Sequence, residues 1–149
     1  MVMLSKNFSL PELVKSQTAE RLGIPNNPSA DHIYNMGELA ENILQPIRNE
    51  YGPFMVSSGF RSVALCEAIG SKATSQHAKG EAVDFEVPGI SNYDLAEWIS
   101  DNLPFDQLIL ECFTGGNTGW IHCSYVPDGR KEELTYSRSL GYRKGLLEK

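Results

Sequence analysis

Residues 105–126 read FDQLILECFTGGNTGWIHCSYV, two largely apolar runs separated by a polar turn that contains three glycines. Such runs around a short glycine-rich turn predict an antiparallel hairpin, with strands over 105–113 and 120–126. Residues 81–87, EAVDFEV, alternate polar and apolar side chains and predict a further strand. Because helical patterns dominate the first half of the chain, the predicted fold class is α+β, a small antiparallel sheet with helices packed around it.

Local signals predict where the helices begin and end. Ser9-Leu-Pro-Glu12 is a capping box, which predicts a helix that runs to about Leu22 and ends at Gly23. A longer helical pattern begins near Ser29, is expected to kink at Pro46, and ends at Gly52-Pro53. The remaining predictions are a strand over 54–57, helices over 62–69 and 91–103, and a loop over 71–80.

Length and charge limit the classes of protein to consider. The 149 residues suit a single domain, which we expect to have its core at about 8–126 and a C-terminal tail at 127–149. The formal charge of −6 argues against a nucleic-acid partner, and we expect the slightly basic tail to be solvated. No apolar run approaches 18 residues, so no membrane span is expected. Three cysteines are too few and too irregularly spaced for a disulfide framework or a paired-cysteine metal site.

Four polar residues stand out against these predicted strands. Asp84 lies inside an apolar strand, Glu111 follows an apolar run, and His122 lies between Ile121 and Cys123, while His77 lies in the loop before Asp84. Taken singly, a histidine in a strand is usually a satisfied core or surface residue, and an aspartate usually belongs to a solvated face. Alternation places Cys123 and His122 on opposite faces, which argues against a cysteine–histidine nucleophile.

Taken together, the same residues allow a metal site. Two imidazoles and one carboxylate, here His77, His122 and Asp84, are a common ligand set of catalytic zinc and leave one position open. Zinc lowers the pKa of bound water towards about 7, and a nearby carboxylate such as Glu111 is then needed to move the proton. Spacing alone leaves both interpretations open.

Three ordered motifs resemble those of one enzyme superfamily. Ser58-Gly-Phe-Arg-Ser62, residues 75–84 (SQHAKGEAVD) and Trp120-Ile-His122 are similar to the SGYRS, SxHxxGxAxD and WxH elements of the zinc peptidoglycan peptidases. That superfamily includes D-alanyl-D-alanine carboxypeptidases, D,D-dipeptidases and L-alanyl-D-glutamate endolysins, and shares its fold with the hedgehog signalling domain. Stretches outside the motifs resemble its phage and prophage branch: FSLPEL at 8–13, NNP at 26–28, LQPIR at 44–48 and FDQLILE at 105–111.

The resemblance implies a role for each residue. His77, Asp84 and His122 correspond to the zinc ligands, and Glu111 to the catalytic carboxylate, although it lies eleven residues before the last ligand where some branches have three. Arg61 corresponds to the arginine that neutralises a substrate carboxylate or the developing oxyanion. Ser75, Gln76 and Trp120 are expected to line the substrate groove.

The implied function is a Zn²⁺-dependent peptidase that cleaves peptidoglycan stem peptides, of the D,D-carboxypeptidase or endopeptidase type. We expect a phage or prophage lysin made in the host cytoplasm without a signal peptide. It would reach the cell wall through a holin or as part of a virion, where phage virion proteins would be partners. Two alternatives stay open: a non-catalytic zinc-bearing binding or structural module of a phage, and a D-Ala-D-Ala dipeptidase.

Overall fold

A six-stranded sheet organises the protein, whose computed structural model describes residues 2–148. The strands are β1 (Val56–Ser58), β2 (Ala82–Phe85), β3 (Gln107–Glu111), β4 (Trp120–Ser124), β5 (Glu132–Ser137) and β6 (Gly141–Lys144). The α-helices are α1 (Leu10–Val14), α2 (Gln17–Leu22), α3 (Ala30–Leu39), α4 (Gln45–Tyr51), α5 (Val63–Ala68) and α6 (Asn92–Asn102). A π-helical segment, Ala40–Leu44, joins α3 to α4, and Gln76–Lys79 form a 3₁₀ turn before β2. Within residues 2–148, every helix is too short or too polar to cross a membrane.

The strands lie in the order β1-β2-β4-β3-β5-β6. The predicted hairpin is confirmed, since β3 pairs antiparallel with β4, and β4 pairs antiparallel with β2. The α+β class is likewise confirmed, but the sheet is mixed rather than purely antiparallel because β5 runs parallel to β3. Residues 125–131, between β4 and β5, form a crossover that passes the end of β3. Because β4 has already reversed the direction of the chain, β5 then runs parallel to β3.

The expectation of a solvated tail after residue 126 is wrong for the two stretches of that segment that join the sheet. Residues 132–137 and 141–144 form β5 and β6, which extend the sheet at its β3 side. Hydrophobic alternation could not reveal β5, because its buried side chains include Thr135 and Ser137. The Thr135 hydroxyl is satisfied by donating to the Gly145 carbonyl oxygen at 2.8 Å.

The helical predictions hold in outline and differ in detail. The capping box at Ser9 is present, but the first helix ends at Val14 and Ser16 caps a separate α2. The long helix contains a π segment immediately before Pro46, where the Gln45 N–H bonds to the Ala40 carbonyl five residues earlier. Proline lacks an N–H and crowds the preceding turn, so the widened turn lies where a kink was predicted.

The two faces of the sheet differ in chemistry. Alternate residues of β2, β3 and β4 are fully buried under the helices: Val83, Phe85, Leu108, Leu110, Ile121 and Cys123. The residues between them, among them Asp84, Glu111 and His122, point to the other face. The hydrophobic core therefore forces the polar residues of these strands onto one open surface.

An ion pair between the buried Asp106 and the largely exposed Arg130 ties the crossover to the rest of the fold. The Asp106 carboxylate is 4% exposed and accepts hydrogen bonds from the backbone N–H, Nε and Nη2 of Arg130, each at 3.0 Å. It also accepts from the Gln76 side-chain amide at 3.0 Å. Hydrogen bonds from Arg130 hold the pKa of Asp106 below its usual range, although burial opposes this.

We expect Asp106→Asn to lower the free energy of unfolding by about 1–3 kcal/mol at pH 7, because one oxygen of the buried carboxylate becomes an NH₂ group that cannot accept from Arg130 or Gln76. A carboxyl with a depressed pKa in the folded state stabilises above its unfolded pKa of about 3.9 and loses that contribution as the pH falls through its folded value. The difference between variant and wild type should therefore shrink from pH 7 to pH 3. Urea unfolding at both pH values measures it.

Asp101→Asn is the matched control, because Asp101 is exposed at the end of α6, and it should change stability by less than about 0.5 kcal/mol. An equal loss for Asp106→Asn at pH 3 and pH 7 would show that the carboxylate charge is not what stabilises the crossover.

Candidate metal centre

His77, Asp84 and His122 converge on one point of the open face. One potential ligand atom from each residue lies within 4.8 Å of the others. Asp84 Oδ1 is 3.0 Å from His122 Nδ1 and 3.4 Å from His77 Nε2. Residues that are well separated in sequence therefore present two nitrogens and a carboxylate oxygen to a common centre.

The 3₁₀ turn fixes the His77 ring. The Ser75 hydroxyl accepts from the His77 N–H at 3.2 Å and begins the turn, while Gly80 ends it with a left-handed backbone. His77 is 2% exposed, and its Nδ1–H donates to the Gly59 carbonyl at 2.8 Å. Since a carbonyl can only accept, Nε2 carries the lone pair, and it faces Asp84. An outer hydrogen bond of this kind is what orients metal-binding imidazoles.

Strand register places the other two ligands. Asp84 on β2 lies directly opposite His122 on β4. Burial penalises the Asp84 charge most strongly, yet the hydrogen bond from His122 and the electrostatic interaction with His77 outweigh it and hold the pKa of this carboxyl well below its usual range. The carboxylate is therefore ionised, and the donor set fits a divalent cation that prefers nitrogen and oxygen ligands.

Glu111 lies on the same face, one strand further on. Ile109 pairs with His122 and Glu111 pairs with Trp120, so the Glu111 side chain is a diagonal neighbour of His122. Burial raises the pKa of Glu111; His122 and Arg61 oppose this effect, and the charge of Asp84 supports it. A carboxyl whose pKa is raised in this way is suited to accept and return a proton.

Arg61 follows β1 and borders the same cleft. Its backbone N–H donates to the His77 carbonyl at 3.1 Å, which ties it to the ligand turn. The Asn26 side chain braces this segment by donating to the Phe60 carbonyl at 3.0 Å and accepting from the Ser62 N–H at 2.7 Å. Within residues 2–148, nothing accepts a hydrogen bond from the buried Nε of Arg61. The guanidinium thus has one donor that the described part of the chain leaves unpaired.

The cleft above the cluster has a volume of about 640 Å³. All eight residues proposed from sequence line it: Arg61, Ser75, Gln76, His77, Asp84, Glu111, Trp120 and His122. Ser75 and Gln76 also have structural tasks, since Ser75 caps the turn and the Gln76 amide donates to Asp106.

The sequence interpretation missed several lining residues. Gln107 and Ile109 share the face of Glu111 on β3, so strand alternation could have found them. Lys72 and Thr74 lie in the segment that was predicted as a loop. Tyr142 comes from β6, which the sequence interpretation assigned to the tail, and no pattern in the sequence pointed to it.

The cysteine beside His122 takes no part in this site. Cys123 is fully buried on the helix-covered face, and burial strongly raises the pKa of its thiol. A thiol in that state is a poor nucleophile and a poor metal ligand. The argument from alternation against a Cys123–His122 nucleophile is therefore confirmed.

A cluster of two histidines and an aspartate that could hold a metal ion, beside a carboxyl with a raised pKa in one cleft, suits the chemistry of a metallopeptidase. The family model described as Peptidase M15 matches residues 6–124. The chain therefore belongs to the Peptidase M15 family, which confirms the superfamily resemblance seen in the motifs. A comparison with curated protein sequences gave no match.

The ligand turn requires glycine at position 80. Gly80 has φ +76°, and a Cβ there would lie 2.6 Å from the His32 carbonyl oxygen on α3. We expect Gly80→Ala to lower the free energy of unfolding by at least about 1 kcal/mol, from the left-handed backbone alone, and to weaken metal binding by displacing His77. Thermal unfolding and metal titration of the same sample measure both effects.

Gly37→Ala provides the matched control. Gly37 lies in α3, and a Cβ added there would meet nothing within 4 Å, so alanine should raise stability by up to about 1 kcal/mol and leave metal binding unchanged. Equal metal affinity in the Gly80→Ala protein and the wild type would contradict the proposed link between this turn and the ligand.

Proposed function

We propose that this protein is a zinc-dependent peptidase that hydrolyses the stem peptides of bacterial peptidoglycan. The observation that carries the proposal is the convergence of His77, Asp84 and His122 in one cleft with Glu111. Family membership supports hydrolysis of a peptide bond. The substrate class rests on the similarity of the three motifs to those of the peptidoglycan peptidases.

Zinc is the metal that this donor set favours. His77 would bind through Nε2, because its Nδ1–H is engaged by Gly59, and Asp84 would supply an ionised oxygen. His122 presents Nδ1 towards the same centre. Zinc held by three protein ligands acts as a Lewis acid and lowers the pKa of water at its open position.

The protein's own residues then transfer the proton and bind the negative charge of the substrate. Glu111 accepts a proton from the attacking water and delivers it to the departing amine, which needs a carboxyl whose pKa is raised as burial raises this one. Arg61 pairs with a substrate carboxylate or with the oxyanion that develops at the scissile carbonyl. Trp120, opposite Glu111 on β4, forms a wall of the cleft.

The biological setting that we propose is a phage or prophage lysin. It would be made in the host cytoplasm and act at the cell wall, either after holin release or as a virion component. The resemblance of residues 8–13, 26–28, 44–48 and 105–111 to the phage branch supports this setting. Either a D,D-carboxypeptidase or an endopeptidase would use the same residues.

Zinc content is the first test. Purified protein is expected to bind one Zn²⁺ per chain, and His77→Ala or Asp84→Asn should lower zinc affinity by at least about tenfold because each removes a ligand. His32→Ala is the control, since His32 is a residue of the first turn of α3 that caps the helix with Ser29 and should leave zinc binding intact. Elemental analysis with calorimetric titration measures this, and unchanged affinity in the ligand variants would contradict the assignment.

Catalysis is tested by Glu111→Gln. This variant keeps the size and the strand position of the side chain but cannot accept the proton, so cleavage of purified peptidoglycan should fall by about 10²–10⁴-fold while zinc content and thermal stability persist. Mass spectrometry of the products identifies the scissile bond. Zinc-loaded wild type that cleaves no muropeptide would favour a binding or structural module, and release of free D-alanine only from D-Ala-D-Ala would favour a dipeptidase.

A further inference from the structure

The open face of the sheet continues past Glu111 onto β5 and β6. Leu110 on β3 is level with Thr135 on β5, and both are buried on the helix-covered side. The residues that follow them, Glu111 and Tyr136, therefore point to the open side. Tyr136 pairs directly with Tyr142 on β6, so Tyr142 shares that face.

The two tyrosines form an aromatic pair. Their ring centroids are 4.6 Å apart and their planes are inclined by 46°. Tyr142 is 61% exposed and lines the cleft that contains Glu111 and the metal cluster. Both tyrosines lie beyond residues 6–124, so this part of the cleft is added by a segment that the family model does not cover.

The order of the strands defines two ends of the cleft that differ in chemistry. Arg61 follows β1, Asp84 is on β2, His122 on β4 and Glu111 on β3, and the tyrosines follow on β5 and β6. The guanidinium end suits a carboxylate. The opposite end presents large, rigid rings with hydroxyl groups, which suit a partner that has both apolar and polar surface.

We propose that Tyr136 and Tyr142 form a subsite for the amino sugar to which the stem peptide is attached. The inference rests on the proposed function. A stem peptide is joined to its sugar through the amino terminus, so a peptide with its carboxylate end towards Arg61 places the sugar towards β6. The ring faces then stack on the C–H face of the sugar, and the phenol hydroxyls reach its polar groups.

The distances agree with this placement. Neighbouring strands lie about 4.8 Å apart, which puts β6 about 10 Å from β3. An extended peptide covers at most about 3.3–3.6 Å per residue, so about three residues bridge that span. The subsite therefore favours substrates whose scissile bond lies within about three residues of the sugar.

The test compares two ligands, a muropeptide that carries N-acetylmuramic acid and the same stem peptide without the sugar. Binding is measured by calorimetry on the zinc-loaded Glu111→Gln protein, which does not consume them. We expect the muropeptide to bind about threefold to tenfold more tightly than the free peptide. Adding Tyr142→Ala should abolish this preference and leave affinity for the free peptide within about twofold.

Two further variants test whether the preference depends on the aromatic ring of Tyr142 and on its place in the cleft. Tyr142→Phe keeps the ring and should retain most of the preference even if alanine perturbs the hairpin. Tyr34→Ala removes a tyrosine that is 67% exposed on α3, away from the residues that line the cleft, and should change neither affinity.

The outcomes distinguish a failure of the sugar subsite from a failure of the proposed peptidase function. If the Glu111→Gln protein binds both ligands equally, or if Tyr142→Ala weakens both to the same extent, the sugar subsite is wrong while the peptidase proposal stands. If that protein binds neither ligand, the proposed substrate fails and the subsite fails with it.

Discussion

The contact between Asp84 and His122 across β2 and β4 is the constraint on which the site depends. A carboxylate enclosed at the centre of a sheet is unfavourable unless partners compensate the lost hydration. His122 Nδ1 supplies one partner at 3.0 Å from Asp84 Oδ1, the His77 ring lies 3.4 Å from the same oxygen, and the antiparallel register of β2 and β4 makes the arrangement possible. The three side chains are thus held close enough together to face one cation.

The segment that follows β1 requires a glycine at position 59, in the stretch Ser58-Gly-Phe-Arg-Ser62. Gly59 offers its carbonyl to His77, and a Cβ at this position would lie 2.3 Å from the Leu13 carbonyl oxygen. The backbone that follows β1 can therefore approach both α1 and the ligand turn only without a side chain there. One segment sets the tautomer of a ligand and then positions Arg61 beside the cleft.

Much of the site could be predicted from sequence because its residues lie where local rules apply. Alternation placed His122 and Cys123 on opposite faces, and the ordered motifs connected His122 with His77, Asp84 and Arg61. Neither rule reaches β5, whose buried Thr135 and Ser137 carry no hydrophobic signal, or the crossover that makes it parallel to β3. The π segment before Pro46 also escapes sequence rules, because proline indicates a distortion without specifying its form.

Two different parts of the segment after residue 124 affect the cleft. Arg130 binds Asp106, whose carboxylate accepts from Gln76, the residue next to His77 in the ligand turn. This chain of hydrogen bonds connects the crossover to the turn that carries His77, through Gln76, which also lines the cleft. The hairpin that follows adds Tyr142 to the cleft wall. In the strand order, β3 separates β5 and β6 from β2 and β4, which carry Asp84 and His122. The segment after residue 124 therefore contributes to the cleft wall without supplying a residue of the candidate metal cluster.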